Sequence, residues 1–352
     1  MNSTPSHVIK AVIVCVLTGS IAQGAILFSA ADYTTLARQT KDQSKDQTKQ
    51  SAAAKGEQEA AAKVQAGADL PAKLTAAGEF VKKYPKSSQR TQVVTYIARE
   101  AEKVTDGAQR IAQLEGTLLV FKEPADAEVI MPILIDAYLK EKRPDDAFRV
   151  AGIYLAKNPN DVAVLTQAVI EGAEQAKNKN PKFVAQSQQY GVKAIELIES
   201  GKKPETYEAA KWSEYQTRWL PIIYQTVGML ALMTGNKADA RAKLDKAVSL
   251  NPDDPFTYVL IGTILNDEYE QLAKDYKTAT AGPLKDAMLT QAHAKMDEVI
   301  DRYAHAVGLA EGKPGYQQLH DQMLEDLKSY YAYRHSGSTD GMQQMIDKYK
   351  KP

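Results

Sequence analysis

Regularly spaced prolines constrain the fold of this chain more than any other feature of its sequence. Pro85, Pro124, Pro159, Pro204 and Pro252 each follow an apolar segment with helical periodicity. Because proline interrupts a helix, these residues mark places where helices end or begin. Their intervals of 39, 35, 45 and 48 residues each exceed the roughly 34 residues of a helix–turn–helix repeat by a loop or part of a helix. The pattern predicts an all-α chain built from stacked helix pairs.

The charges of the chain balance, which argues against several kinds of partner. The sequence has 44 Lys+Arg and 44 Asp+Glu among 352 residues, so its formal net charge is zero. Binding to nucleic acid or to an anionic membrane surface depends on excess positive charge, and neither is predicted. Hydrophobic residues at 44% and charged residues at 25% are typical of a globular protein. The one cysteine rules out an internal disulfide and a cysteine-based zinc cluster.

The N-terminus predicts export from the cytoplasm. Lys10 precedes an apolar run over residues 11–31, and small residues offer cleavage sites after Gly24 or Ala31, as in a secretory signal peptide. The run is also long enough to cross a bilayer, so residues 1–31 are predicted to be either a cleaved signal peptide or a retained signal-anchor. The mature protein is then periplasmic or extracellular, or is held in the inner membrane by this segment.

Residues 32–70 form a low-complexity segment rich in Lys, Gln and Ala. It contains the near-repeat Lys41–Gln50 and shows no apolar face. A segment that is polar all round forms either a solvent-exposed helix or a disordered linker. We therefore predict a linker, helical or disordered, that serves as a tether for the folded part or as a spacer without a function of its own.

The stretch from Pro221 to Asp254 has the most regular pattern of apolar and small residues. Gly235 is expected to end one helix and Asn236 to cap the next, while Asp254 caps a third that starts at Pro255. The stretch resembles the unit of the tetratricopeptide repeat family, from whose consensus only Ala231 departs. The matching residues are Tyr224, Val227, Gly228, Ala240, Leu244, Ala247 and Pro252.

The resemblance extends over roughly residues 71–310. The next unit matches through Tyr258, Ile261, Gly262 and Leu265, but its first helix is expected to overrun to a break at residues 281–283. Residues 128–161 match more loosely, and residues 80–87 resemble a helix ending common in exported bacterial repeats of this type. The resemblance implies a right-handed α-α superhelix of about five to six helix pairs over residues 71–312. Helices within residues 313–352 are predicted to cap it.

No motif in the sequence indicates a catalytic residue, a cofactor or a metal site. The phosphate-binding loop, the dinucleotide fingerprint, the nucleophile elbow and the zinc-protease motif are all missing from the sequence. His293, His305, His320 and His335 are spaced 12, 15 and 15 residues apart, which fits separate surface positions better than a metal site. We therefore predict a protein that binds other proteins and is not an enzyme.

The resemblance also implies where a partner would bind. In the family, five positions of each first helix face the concave groove, and here several are apolar rather than the Lys and Asn that grip acidic chaperone tails. An apolar peptide is therefore the predicted ligand, unless these side chains pack inside the superhelix instead. The candidate groove residues are Ile222, Gln225, Met229, Met233, Phe256, Val259, Thr263 and Asn266.

The sequence thus predicts an exported scaffold for protein–protein interaction in the bacterial cell envelope. Two other interpretations remain open. One is an α/α-barrel hydrolase whose helical hairpins imitate the repeat spacing, with two carboxylates facing each other across a cleft. The other is a membrane-tethered assembly factor, in which residues 11–31 stay in the bilayer and residues 32–69 form the spacer.

Overall fold

The computed structural model describes residues 49–351, with side chains from residue 55 onward. The predicted signal segment and the first part of the predicted linker, residues 32–48, lie outside the described residues. The described part is all-α: it contains fourteen α-helices, one short 3₁₀ turn at Pro181–Phe183 and no strand. Its contacts form two compact units. We call residues 49–171 and 197–212 the N-terminal unit, and residues 172–196 and 213–351 the C-terminal unit.

The first twelve helices follow one another as six pairs along the sequence, and two more helices follow these pairs. Their bounds are α1 Lys49–Ala66, α2 Leu70–Lys83, α3 Arg90–Glu102, α4 Gly107–Val120, α5 Pro124–Lys140, α6 Pro144–Lys157, α7 Val162–Lys177, α8 Val184–Glu199, α9 Ala209–Met233, α10 Lys237–Leu250, α11 Pro255–Thr278, α12 Pro283–Ala310, α13 Gln317–Arg334 and α14 Met342–Asp347.

In the N-terminal unit, each helix packs on its own partner and on helices of the neighbouring pair. The pairs are α1 with α2, α3 with α4, and α5 with α6; between pairs, α2 contacts α3 and α4, while α5 contacts α3 and α4. The seams are filled by fully buried apolar side chains such as Ile97, Leu114, Ile130 and Leu134. This is the arrangement of a helical repeat, in which each pair buries its apolar face against the next.

In the C-terminal unit, glycines allow two helix pairs to pack closely. A Cβ atom on Gly228 of α9 would stand 2.9 Å from Cγ of Leu244 and 3.2 Å from the carbonyl oxygen of Ala240, both in α10. A Cβ atom on Gly262 of α11 would come even closer to the buried ring of Tyr303 in α12. Gly228, one of the residues that match the repeat consensus, therefore lies where α9 and α10 approach closely. α13 and α14 pack on α12.

The predicted helix ends agree with the structure. All five marker prolines fall outside helix interiors, with Pro124 as the first residue of α5. Gly235 has the left-handed φ of 81° after α9. The side chain of Asn236 accepts a hydrogen bond from the amide of Asp239 at 3.3 Å, and Asp254 caps α11 by accepting from the amides of Phe256 and Thr257.

Two local features go beyond what the sequence indicates. Residues 49–66 of the predicted linker form the helix α1, one of the two forms that the sequence left open, and this helix packs on α2 with Ala61 and Val64 buried. Small side chains replace the large apolar face that the sequence lacks, since a Cβ on Gly56 would stand 2.9 Å from the hydroxyl of Tyr84. Pro221 lies inside α9, where the burial of residues such as Ile223 outweighs the helix-breaking tendency of proline.

Candidate partner-binding groove

The eight candidate groove residues lie in the C-terminal unit, and five of them are buried: Met229, Phe256, Val259, Thr263 and Asn266. Asn266 accepts a hydrogen bond from the hydroxyl of Tyr330 at 2.7 Å and donates one to Glu270 at 3.1 Å. The structure therefore places these side chains in the interior, as in the alternative that the sequence left open.

The other three candidate residues differ from one another in their exposure. Ile222 and Gln225 are half-buried, and the side-chain amide of Gln225 donates hydrogen bonds to Asp254 and to the hydroxyl of Thr257. Met233 is exposed, with 39% of its surface accessible. The eight residues thus do not come together as one open surface.

A concave surface does occur in the N-terminal unit. A groove of about 680 Å³ runs between α3 and α5 and is closed by the loop between α6 and α7, the start of α7 and the connection before α9. The helices α3 and α5 are the first members of their pairs, which is the position that lines the concave side in helical repeats. The lining residues are Thr91, Thr95, Arg99, Ala125, Glu128, Val129, Ile133, Tyr154, residues 157–163 and residues 204–207.

Helical spacing explains why these side chains share one surface. Thr91, Thr95 and Arg99 follow each other at intervals of four residues on α3, and Ala125, Val129 and Ile133 do the same on α5. Residues four apart lie above one another on the same face of a helix. Each helix therefore presents one stripe to the groove, polar on α3 and apolar on α5.

A buried ion pair joins the beginnings of the two walls. The guanidinium of Arg90, the first residue of α3, contacts both carboxylate oxygens of Asp126 in the first turn of α5, with Nε at 3.0 Å from each and Nη2 at 2.6 Å from Oδ2. The side chain of Asp126 is only 3% exposed, and it also accepts a hydrogen bond from the amide of Glu123 at 3.1 Å. This pair holds the two helices at a defined separation.

A tyrosine and an aspartate form a rigid corner of the groove. The hydroxyl of Tyr154 donates to Oδ2 of Asp161 at 2.6 Å. Oδ1 of Asp161 accepts from the amides of Ala163 and Val164 at 3.0 and 3.1 Å, which caps α7. Burial, together with the neighbouring carboxylate of Asp161, raises the pKa of Tyr154 above its usual range. The tyrosine therefore stays neutral, and both oxygens of Asp161 are occupied.

The connection between α8 and α9 forms another wall of the groove. The ammonium of Lys203 donates to the carbonyl oxygens of Pro204 at 3.1 Å and Tyr207 at 2.5 Å. The ring of Tyr207 packs edge-on against Trp212 with 5.4 Å between the ring centres. These contacts fold residues 203–207 back on themselves, so that Pro204 and Tyr207 border the groove.

The chemistry of the groove is suited to binding. Its charged residues are Arg99 and Lys157 against Glu128, Asp161 and Glu205, which leaves the lining nearly neutral.

In the part of the chain with described side chains, no group of three or more His, Cys, Asp or Glu residues could hold a metal ion. None of the helices between residues 49 and 351 combines the length and apolar character needed to cross a bilayer.

The sequence analysis did not single out the groove of the N-terminal unit, but one signal in the sequence pointed to it. In the loosely matching unit at residues 128–161, Val129 occupies the second position of the repeat, one of those that face the concave side in the family. The structure places Val129 in the groove. The walls formed by Asn158, Pro204 and Tyr207 come from loops, which carry no periodic signal.

Among known proteins, similarity is found to solved structures. No protein-family model matches the sequence, and no curated protein does either. Among solved structures, the chain is similar to a tetratricopeptide repeat protein from Parabacteroides merdae, whose crystal structure was determined at 2.39 Å resolution. The sequence identity is 12% and the TM-score is 0.35, over 77% of this chain and 99% of that one. The description as helix pairs rests on the packing within each unit.

Proposed function

We propose that this protein is a non-catalytic scaffold, built from tetratricopeptide-like helix pairs, that binds a segment of another protein in the groove of its N-terminal unit. The groove of about 680 Å³ is the observation that carries the proposal. Its size lies within the range of about 300–1,000 Å³ typical of binding sites. The apolar stripe on α5 provides burial, and the polar stripe on α3 provides hydrogen bonds to a bound chain.

One of the three carboxylates in the groove is already engaged in structural hydrogen bonds. A glycosidase needs two carboxyl groups free to act on the bond between them. In the groove, Asp161 already accepts hydrogen bonds on both oxygens, from the hydroxyl of Tyr154 and from two amides of α7. Its role is to position the loop before α7.

Site-specific photo-crosslinking in cells tests this function. A photoreactive amino acid at Thr95 lies in the groove, whereas the same residue at Leu119 on α4, which is 73% exposed, lies outside it. We expect discrete crosslinked adducts with another protein from position 95 and none from position 119. No adduct from position 95, or the same adducts from both positions, would count against a binding groove here.

We also propose that the scaffold acts in the bacterial cell envelope. The support is the apolar run of residues 11–31 behind Lys10, with small residues at possible cleavage sites. If this segment stays in the bilayer, the same scaffold becomes a membrane-tethered assembly factor. Fractionation of cells into cytoplasm, membrane and periplasm separates these locations.

A further inference from the structure

A histidine in the C-terminal unit lies between two tyrosine rings. The imidazole of His305 in α12 stacks on Tyr258 of α11, with 3.7 Å between the ring centres and 25° between the ring planes. Its other face stacks on Tyr349, which follows α14, at 3.9 Å and 12°. The hydroxyl of Tyr349 also donates a hydrogen bond to Oδ1 of Asp301 at 2.5 Å. The residues around α14 therefore close one face of the imidazole.

Only a small docking surface holds these residues on α12. We call residues 342–351 the latch segment. Met342 and Ile346 of this segment are buried, and α14 has six residues, which is too short for a helix to be stable on its own. A Cβ atom on Gly308 of α12 would stand 2.6 Å from the carbonyl oxygen of Ile346 and 2.9 Å from Cβ of Tyr349. The latch segment thus depends for its structure on docking at Gly308.

A loop rich in glycine and serine connects α13 to the latch segment. Residues 335–341 are exposed, apart from the half-buried Ser338. Gly337 and Gly341 have left-handed φ angles of 94° and 87°. Ser336 has a φ of 56°, which residues with a side chain seldom adopt. Because this loop buries little surface, the latch segment can leave α12 without unfolding α13.

The closed stack disfavours a charged imidazole. An imidazolium donates hydrogen bonds from both ring nitrogens. Nδ1 of His305 is buried, and none of the described groups lies within hydrogen-bonding distance of it. Burial lowers the pKa of His305 to about 4. A proton on this ring therefore costs free energy as long as Tyr349 covers it.

The charged groups around His305 have both signs. They are Asp301 and Arg302 on α12, Asp253 in the loop before α11, and Lys351 in the latch segment. The two carboxylates and the faces of the tyrosine rings favour a charged imidazole, whereas Arg302 and Lys351 oppose it. The loss of hydration on burial is larger than any of these effects, so the closed state keeps the ring neutral.

We propose that the latch segment opens when the medium is acidified, because the imidazole of His305 binds a proton once Tyr349 has left its face. In the closed state the neutral ring lies between two tyrosines. In the open state water reaches the ring, and the surface of α12 at Gly308 is uncovered. The latch lies in the C-terminal unit and does not depend on the function proposed for the groove.

The direction of the response follows from proton binding. The open state binds a proton below the ordinary histidine pKa of about 6.5, and the closed state only below a pKa of about 4. A fall in pH between these values therefore favours the open state. From pH 7 to pH 5, the equilibrium constant for opening should rise about twentyfold. Carboxylates with an ordinary pKa of about 4 lose their charge mostly below this range.

Hydrogen–deuterium exchange of the full-length protein measures this opening. The amides of Met345 and Tyr349 donate to the carbonyl oxygens of Gly341 and Ile346, so the open state exposes them to exchange. We expect their protection factors, which are corrected for the intrinsic exchange rate at each pH, to fall about twentyfold from pH 7 to pH 5. The amides of α11 and α13 should stay protected over the same range.

Two histidines on α12 provide matched variants. His305→Phe keeps a ring between the tyrosines and removes the titrating group, so the protection of the latch segment should no longer depend on pH. His293→Gln, on the exposed side of the same helix, should keep the change of about twentyfold. If His305→Phe itself lowers the protection, His305→Gln replaces it, because either variant must abolish the pH dependence.

Gly308→Ala is the reference for a released latch. Its added Cβ would meet the backbone of the latch segment, so the protection of Met345 and Tyr349 should be low at every pH. Unchanged protection in this variant would show that exchange at these amides does not report docking on α12.

Three results would overturn the proposal. One is protection of the latch segment that does not change between pH 7 and pH 5 in the wild type. Another is the same pH dependence in the wild type, His305→Phe and His305→Gln. The third is a loss of protection throughout α11, α12 and α13 at pH 5, which would indicate acid unfolding of the whole unit.

Discussion

At the scale of single residues, the packing of α11 on α12 depends on one glycine. A Cβ on Gly262 would stand 2.8 Å from Cδ1 of Tyr303, a fully buried side chain that has no room to move. We expect Gly262→Ala to lower the free energy of unfolding by about 1–2 kcal/mol, because the cost of overpacking exceeds the gain in helix propensity. Urea denaturation measures the change.

Gly78 in α2 is the matched control for this substitution. A Cβ there would meet only Cγ1 of Val120, at an ordinary 3.7 Å. Gly78→Ala should therefore stabilise the protein by about 0.5–1 kcal/mol through helix propensity alone. If both alanines stabilise, the close approach at Gly262 is not a constraint on packing.

A second residue-scale prediction concerns a buried carboxyl group in α13. Burial raises the pKa of Asp326 to about 6, and none of the described groups donates a hydrogen bond to its Oδ2. The native state then holds this proton at a pH where the unfolded chain, with a pKa of about 3.9, has lost it. The contribution of Asp326 to the free energy of unfolding therefore falls as the pH rises from about 4 to 6, and it stays low at higher pH.

The variant Asp326→Asn isolates this effect. Between pH 4 and pH 8, we expect the wild type to lose up to about 3 kcal/mol of unfolding free energy relative to the variant. Only the difference is diagnostic, because burial lowers the pKa of His305 to about 4 and its titration acts in the opposite direction. A pH-independent difference for Asp326→Asn would refute the prediction.

At the scale of helices, the pair Arg90–Asp126 determines how α3 and α5 meet. Removing the guanidinium leaves the carboxylate of Asp126 buried without its opposite charge. We expect Arg90→Ala to cost about 3 kcal/mol of unfolding free energy, as when one partner of a buried pair is lost. Urea denaturation at pH 7 gives this value.

The control for this pair is Arg149, which contacts Asp146 at 3.0 Å on the exposed side of α6. Arg149→Ala should cost less than about 1 kcal/mol, because solvent screens exposed ion pairs. Equal losses in the two variants would show that Arg90–Asp126 does not hold the walls of the groove together.

The helix boundaries could be predicted from sequence because caps are local. Asn236 and Asp254 each bond to amides two or three residues away, so the signal lies within one turn. The groove could not be predicted in the same way. Arg90 and Asp126 are 36 residues apart, and the burial of Asn266 depends on Tyr330, which is 64 residues away. The resemblance to the repeat consensus indicates which helix comes first in each pair. Which of these first helices stay exposed depends on packing between residues that are far apart in the sequence.

At the scale of the whole molecule, the balance of 44 basic and 44 acidic residues predicts how association responds to salt. Binding through apolar contacts and neutral hydrogen bonds releases few counterions. The affinity for a partner segment bound in the groove of the N-terminal unit should therefore change less than about threefold between about 50 and 500 mM NaCl. Anisotropy titrations at several salt concentrations measure it, and a steep loss of affinity would indicate a charged partner instead.

The proposed location in the cell envelope depends on residues 1–31, which are predicted to direct export. We expect mature protein isolated from cells to begin at residue 25 or 32, because Ala22 with Gly24, or Ser29 with Ala31, provides the small side chains that signal cleavage requires. N-terminal sequencing identifies the site. Gly24→Leu should block cleavage if the first site is used, and Ala31→Leu if the second is. An N-terminus at residue 1 or 2 on protein that detergent alone releases from membranes would instead establish a retained anchor, because an apolar run of about 20 residues spans a bilayer.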